Sequence, residues 1–152
     1  MIPEPLSHNS VATALLRRSE DDVWIGLDDD DLPAAQGFVG NSELLVAPAW
    51  RLPREVKNFN RALSWVGQRL EHEYGLGCLN FWCLGGAYHP SLGITPEVVH
   101  PFAVEVEPRG DGKRPLCWVR VEEAVANRCS LQDGHLRIVL LRAAHALGML
   151  SK

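Results

Sequence analysis

Three side chains with chemical potential, Arg69, His72 and Glu73, fall within five consecutive positions of a segment whose apolar residues recur with a helical period. Arg69 and Glu73, four apart, can form a surface ion pair worth about a few tenths of a kcal/mol. His72 and Glu73 together could hold a softer ion such as Mn²⁺ or Zn²⁺, although two ligands alone do not define a site. Four consecutive aspartates, Asp28 to Asp31, read as a solvated turn rather than a cation site. Five tryptophans (Trp24, Trp50, Trp65, Trp82 and Trp118) read as core, with room for one to face a pocket and stack on a base. His135 and His145 fall in the last periodic segment, where His145 beside the apolar stripe reads as a structural histidine. Cys78, Cys83, Cys117 and Cys129 form no CxxC pair. That spacing argues against a zinc knuckle and for buried, reduced thiols of a cytoplasmic protein.

The elements that must position these groups follow from periodicity. Val11 to Arg17 and Val23 to Leu27 are apolar runs across the acidic turn Ser19 to Asp22, a predicted hairpin. Leu44 to Trp50 reads as a strand with Pro48 at an edge or bulge. Between Asn58 and Gly75, Phe59, Leu63, Val66 and Leu70 mark one face of a helix, with Gly75 and Gly77 as stops. Leu79 to Leu84, Val98 to Val106 and Leu116 to Val121 read as strands, the first two flanking the loop Gly85 to Glu97. The final helix starts at a capping-box-like Ser130 and Asp133, carries Leu136, Val139 or Leu140, Ala143 and Leu147, and stops at Gly148. Strands, helix, strands, helix describe an α+β chain: a mixed β-sheet between helices, one domain over residues 1–152 with a short N-terminal arm of about ten residues.

Composition narrows the function classes. With 152 residues, 46% hydrophobic and 22% charged, the chain can bury a substantial core. A net charge of -4 and no Lys/Arg run leave no footprint for nucleic acid or an anionic membrane. No apolar run approaches the roughly 18 residues of a membrane span, and no signal peptide is visible.

Three stretches resemble the Nudix hydrolase superfamily, in particular its ADP-ribose and nucleotide-sugar pyrophosphatase branch. They are Pro48 to Pro53 (PAWRLP); Leu84 to Val106, whose PSLGITPE is similar to the family's PSPGxTxE loop; and Cys117 to Leu150, with a short Val-Glu-Glu helix and a DGH…HALG helix. The family's box, G-x5-E-x7-R-E-U-x-E-E-x-G-U with U a bulky aliphatic residue, falls at its end on Gln68 to Leu76. Leu70, Glu73, Gly75 and Leu76 fit. Gln68 stands at the arginine, Arg69 and His72 at two glutamates, Asn60 at the early glutamate and Arg54 at the glycine. Glu71 points elsewhere on the helix.

The resemblance implies a Nudix-type α/β/α sandwich, a nucleoside-diphosphate-linked ligand, and a homodimer. It also implies Mg²⁺ or Mn²⁺ if the chain is active. Its glutamates would hold divalent ions, but here only Glu73 of three remains on that face. A guanidinium about 5 Å from such an ion would cost roughly 6–7 kcal/mol at an effective dielectric of ~20. The metal cluster is therefore not expected, and little or no hydrolysis follows. Arg69, standing where the cation would be, can instead meet a ligand phosphate. The resemblance also marks Arg51 as ligand-binding, although it could point to solvent, and places Glu97 along the diphosphate site, although it could simply cap or pair in its loop. Glu107 and Asp111 lie where some members carry a catalytic carboxylate. An active pyrophosphatase would use Glu73 with Glu97, and one of these, on metal.

Overall fold

The computed structural model describes residues 9–31, 43–89, 97–128, 131 and 133–148. Strand β1 (Asn9–Ser19) organises it. Ala12, Ala14 and Leu16 pack into one core, and Val11 and Leu15 into a second on the opposite face. This two-sided burial explains why the strand is continuously apolar instead of alternating.

Around β1, β2 (Asp22–Asp31), β3 (Glu43–Val46), β4 (Ala49–Arg51), β5 (Leu76–Cys83), β6 (Val98–Pro108) and β7 (Cys117–Arg120) complete a seven-stranded sheet. The path runs β3-β2-β1-β6-β5, with β4 pairing β1 and β7 pairing β2. β1 and β6 are parallel, from Asn9 opposite Val98 to Leu16 opposite Glu105; the β1–β2 hairpin is antiparallel. Helix α1 (Phe59–Tyr74) covers one face, burying Ala62, Val66 and Leu70 against Leu15, Val104 and Val106. Helices α2 (Val121–Ala126) and α3 (Gly134–Ala146) cover the other. The mixed sheet between helices is the architecture expected.

The caps of α1 follow from its sequence. Asn58 Oδ1 accepts from the Arg61 N–H at 2.9 Å, and Gly75, at φ 66°, ends the helix in the left-handed conformation. Asp133 caps α3 by accepting from the Leu136 N–H at 3.1 Å.

Several expectations need correction. The four aspartates are not a turn: they form the end of β2, with Asp28 opposite Val46 and only 6% exposed. The predicted hairpin turn between β1 and β2 does form, at Glu20 and Asp21. The segment from Leu44 to Trp50 is two strands, divided at Ala47 and Pro48. Phe59, taken for the buried stripe of α1, is 53% exposed and lies against Phe102; Ala62 takes the buried position. Cys83 and Cys117 are exposed and Cys78 half-buried, while Cys129 lies outside the described residues. His145, expected as a structural histidine beside the stripe, is exposed in the last turn of α3. Asn9 and Ser10, assigned to an N-terminal arm, are buried in β1; residues 1–8 of that arm lie outside the described residues, as do Pro90, Gly93, Pro96 and Ser130. Among the described residues no helix is long and apolar enough to cross a membrane.

The division at Pro48 creates the cleft. β2 pairs β1 only at residues 15–19 of β1, while β4 takes the same edge at Ser10 to Ala12. At the parting, Thr13 donates to the Pro48 carbonyl through both its hydroxyl, at 2.6 Å, and its N–H, at 3.0 Å. A hydroxyl within the apolar run from Val11 to Leu16 satisfies the carbonyl that the interrupted ladder leaves open.

Candidate functional site

Two adjoining cavities open where β2 and β4 part. The larger, about 340 Å³, takes Asp28 from β2, Ala47 to Trp50 from the divided edge, Glu73 and Tyr74 from the end of α1, Arg114 from the loop after β6, and Asp133 and His135 from the start of α3. The smaller, about 300 Å³, is lined by Ser10, Arg51, Glu97 and Val99, and shares Ala49, Trp50 and His135 with the first. Glu73 thus borders the larger cavity and Glu97 and Arg51 the smaller, on either side of a wall that the two cavities share.

Glu73 is fixed from two sides. Arg69 Nη2 donates to its Oε1 at 2.5 Å, and Trp50 Nε1 donates to its Oε2 at 2.9 Å. The side chain is 19% exposed, so both bonds act in a partly desolvated setting. Arg69 packs its guanidinium on the Trp65 ring, 5.6 Å from the centroid, and Trp65 meets Trp50 edge-on at 6.4 Å. Arg69 lines neither cavity and reaches the cleft only through Glu73. His72 is exposed and also lines neither.

Beside Glu73, Asp28 accepts from Tyr74 Oη at 2.5 Å and from Arg114 Nη2 at 3.0 Å. Burial first, then the hydrogen bond to Asp28 and the charges of Asp28 and Glu73, hold the Tyr74 phenol well above its ordinary pKa, with Arg114 acting the other way. Arg114 is delivered by a loop that docks on the end of α1: its N–H bonds the Glu73 carbonyl at 2.8 Å, and Arg109 and Gly110 bond the Gly75 carbonyl at 2.8 and 3.2 Å. The approach is close enough that a Cβ on Gly75 would lie 2.2 Å from the Gly110 carbonyl oxygen. On the far wall, Asp133 Oδ2 also accepts from the Ala47 N–H at 3.2 Å, tying the divided edge to α3.

In the smaller cavity Glu97 accepts from Ser10 Oγ at 2.8 Å. Arg51 is exposed, and its side chain has no hydrogen-bond or ion-pair partner among the described residues. Glu107, near the end of β6, pairs with Arg109 at 3.5 Å, and Asp111 is exposed in the loop that follows; neither lines the cleft. Of the tryptophans, Trp50 alone borders both cavities, while Trp82 is among the exposed residues.

A hard divalent ion needs several oxygens whose lone pairs are directed at it. Both oxygens of Glu73 and both of Asp28 already accept from protein donors, two of them guanidinium groups. Among the described residues no three His, Cys, Asp or Glu side chains are grouped to hold a metal. The donor set does not fit Mg²⁺ or Mn²⁺.

Asp28, Tyr74, Arg114, Asp133 and His135 form much of the site without having been marked for it. Asp133 was legible as a cap, and His135 by type alone. The Asp28–Tyr74–Arg114 cluster spans 86 positions, and no local spacing could reveal it.

No family profile matches the sequence, and no curated protein does. Solved structures do. A candidate asymmetric diadenosine tetraphosphate (Ap4A) hydrolase from Jonesia denitrificans superposes with a TM-score of 0.64 at 20% identity, covering 95% of this chain and 96% of that one. A Nudix hydrolase from Nitrosomonas europaea gives 0.60 at 16%, over 95% and 96%. The Nudix domain of Shewanella oneidensis NrtR, in complex with ADP-ribose, gives 0.59 at 9%, over 91% and 87%. The strand order, the helix on each face and these superpositions agree: the chain has the Nudix hydrolase fold.

Proposed function

We propose that the chain is a Nudix-fold binding domain that takes a nucleoside-diphosphate-linked small molecule in this cleft and hydrolyses it slowly or not at all. The observation that carries this reading is the double engagement of Glu73 by Arg69 and Trp50, which directs its oxygens to protein donors instead of a cation. Arg51, exposed at the smaller cavity, supplies the guanidinium for a phosphate. Arg69 contributes indirectly, by holding Glu73. Two cavities joined at one wall suit an elongated ligand with a moiety at each end, and the Shewanella neighbour, whose ligand is ADP-ribose, makes that compound the first probe.

The test is calorimetric titration of ADP-ribose with and without Mg²⁺, beside a hydrolysis assay with Mg²⁺ and Mn²⁺ on wild type and Glu73→Gln. Binding that ignores the metal, with no turnover in either protein, is expected. Metal-dependent turnover at ordinary enzymatic rates, lost in Glu73→Gln, would establish a second reading. That reading is a pyrophosphatase whose Glu73 exchanges Arg69 for a metal ion and works with Glu97 across the shared wall. Its support is that the two carboxylates border cavities with three common residues.

A further inference from the structure

We propose that His135 contacts the ligand where the two cavities meet, presenting an Nε2–H donor, and that Tyr88 is the positioning residue that sets this tautomer. The inference rests on the binding reading above and adds to it a contact and a polarity.

His135, the second residue of α3, is half-buried and is the only imidazole bordering both cavities among the described residues. One ring nitrogen is already engaged: Nδ1 lies 2.6 Å from the Tyr88 hydroxyl. The nitrogen left to meet a ligand is Nε2. Which nitrogen carries the hydrogen follows from the hydroxyl. A phenol has one O–H to place and two lone pairs, and in a part-buried setting an O–H without an acceptor costs more than an idle lone pair. Nδ1 is the one partner of the Tyr88 hydroxyl among the described residues, so the hydroxyl donates and Nδ1 accepts. In a neutral imidazole the hydrogen then resides on Nε2. Burial, reinforced by the negative charges of Asp133 and Glu97 and opposed by Arg142, pushes the Tyr88 pKa up to about 12, which keeps the phenol a donor.

Tyr88 is itself held firmly enough to act as a reference point. Its N–H and carbonyl bond Val99 in both directions, at 2.9 and 2.8 Å. The Arg142 guanidinium lies 5.8 Å from its ring centroid while bonding the carbonyls of Leu84 and Gly86 at 2.9 and 2.7 Å. The two rings sit at 5.8 Å with an interplanar angle of 43°. The proposed N–H donor shares the lining of the smaller cavity with Arg51, and suits a ligand oxygen such as a phosphate ester or sugar hydroxyl.

The experiment uses the full chain, labelled with ¹⁵N, and long-range ¹H–¹⁵N correlation of the imidazoles at about pH 8, above the ordinary imidazole range. Expected for His135 is a protonated Nε2 and a bare Nδ1; Tyr88→Phe should return a mixture of tautomers without unfolding the chain. Saturating ADP-ribose should shift the Nε2 signal. His135→Ala should weaken ADP-ribose about tenfold and Tyr88→Phe about threefold, on the scale of one hydrogen bond. A wild-type Nδ1–H tautomer would overturn the positioning role of Tyr88. An Nε2 signal unmoved at saturation would overturn the ligand contact while leaving the binding function intact. Failure of wild type to bind ADP-ribose removes both the function and the contact, but the tautomer is read without ligand and is judged separately.

Discussion

Two cavities share Trp50 and His135 yet differ in one respect: the guanidinium in the larger is engaged by a carboxylate and the one in the smaller is not. In the larger, Glu73, Asp28, Tyr74 and Arg114 bond one another or the framework, so the wall is chemically satisfied before any ligand arrives. In the smaller, the Arg51 side chain has no partner among the described residues and reaches solvent. A wall of satisfied groups holds shape, because breaking any pair leaves a half-buried donor or acceptor alone. A wall with a disengaged cation holds affinity in reserve. The difference separates the residues that build the cleft from those that would recognise something in it.

Mutations on the two sides should therefore fail in different assays. Asp28→Ala strips Tyr74 and Arg114 of their common acceptor and should lower stability by about 2–3 kcal/mol, read as a drop in the denaturant midpoint. If Asp28→Ala instead leaves the midpoint in place and abolishes ADP-ribose binding, the division of labour is reversed. Arg51→Ala should do the converse: stability within about 0.5 kcal/mol of wild type, and ADP-ribose affinity down about tenfold by calorimetry. Trp50→Phe keeps an aromatic side chain, though a smaller one, and removes the N–H from which Glu73 accepts. A loss near 1 kcal/mol is expected, with Glu73 freer to turn; added Mg²⁺ should then stabilise this variant against heat more than it stabilises wild type.

The smallest effect lies outside both cavities. Burial lowers the His100 pKa below its ordinary value, so the unfolded chain takes up a proton at higher pH than the folded one. The stability this group contributes is complete above about pH 6.5 and declines as pH falls towards the lowered folded value. His100→Gln should flatten that acid limb of a melting-temperature profile while ADP-ribose binding at pH 8 stays as in wild type. An unchanged limb would assign the acid sensitivity to other groups.

Much of the fold was legible because burial on two faces leaves a signature. β1 and α1 announce themselves by apolar runs and by the Gly75 stop, and the structure places both within a residue or two of expectation. Asp28 was misread because its partners, Tyr74 and Arg114, come from distant segments; without them four aspartates can only look solvated. Pro48 signalled an interruption, but the splitting of an edge between β2 and β4 depends on which strands compete for β1. Glu73 and Arg69 were visible as a pair; Trp50 as the second donor was not, since a side chain 23 positions away has no local periodicity with it. Arg51 and Glu97 were marked through family resemblance, and their nearness to Glu73 comes from the crossover topology.

The cleft's outline hangs largely on main-chain atoms: the Pro48 carbonyl on Thr13, the Ala47 N–H on Asp133, the Arg114 N–H on the Glu73 carbonyl, and the Gly75 carbonyl on Arg109 and Gly110. Main-chain groups are present whatever residue occupies a position. Substitution along the lining can thus exchange one chemistry for another while the vessel keeps its dimensions. A fold framed in this way can change its chemistry and retain a receptacle, because chemistry is written in side chains and the receptacle is written mostly in the backbone.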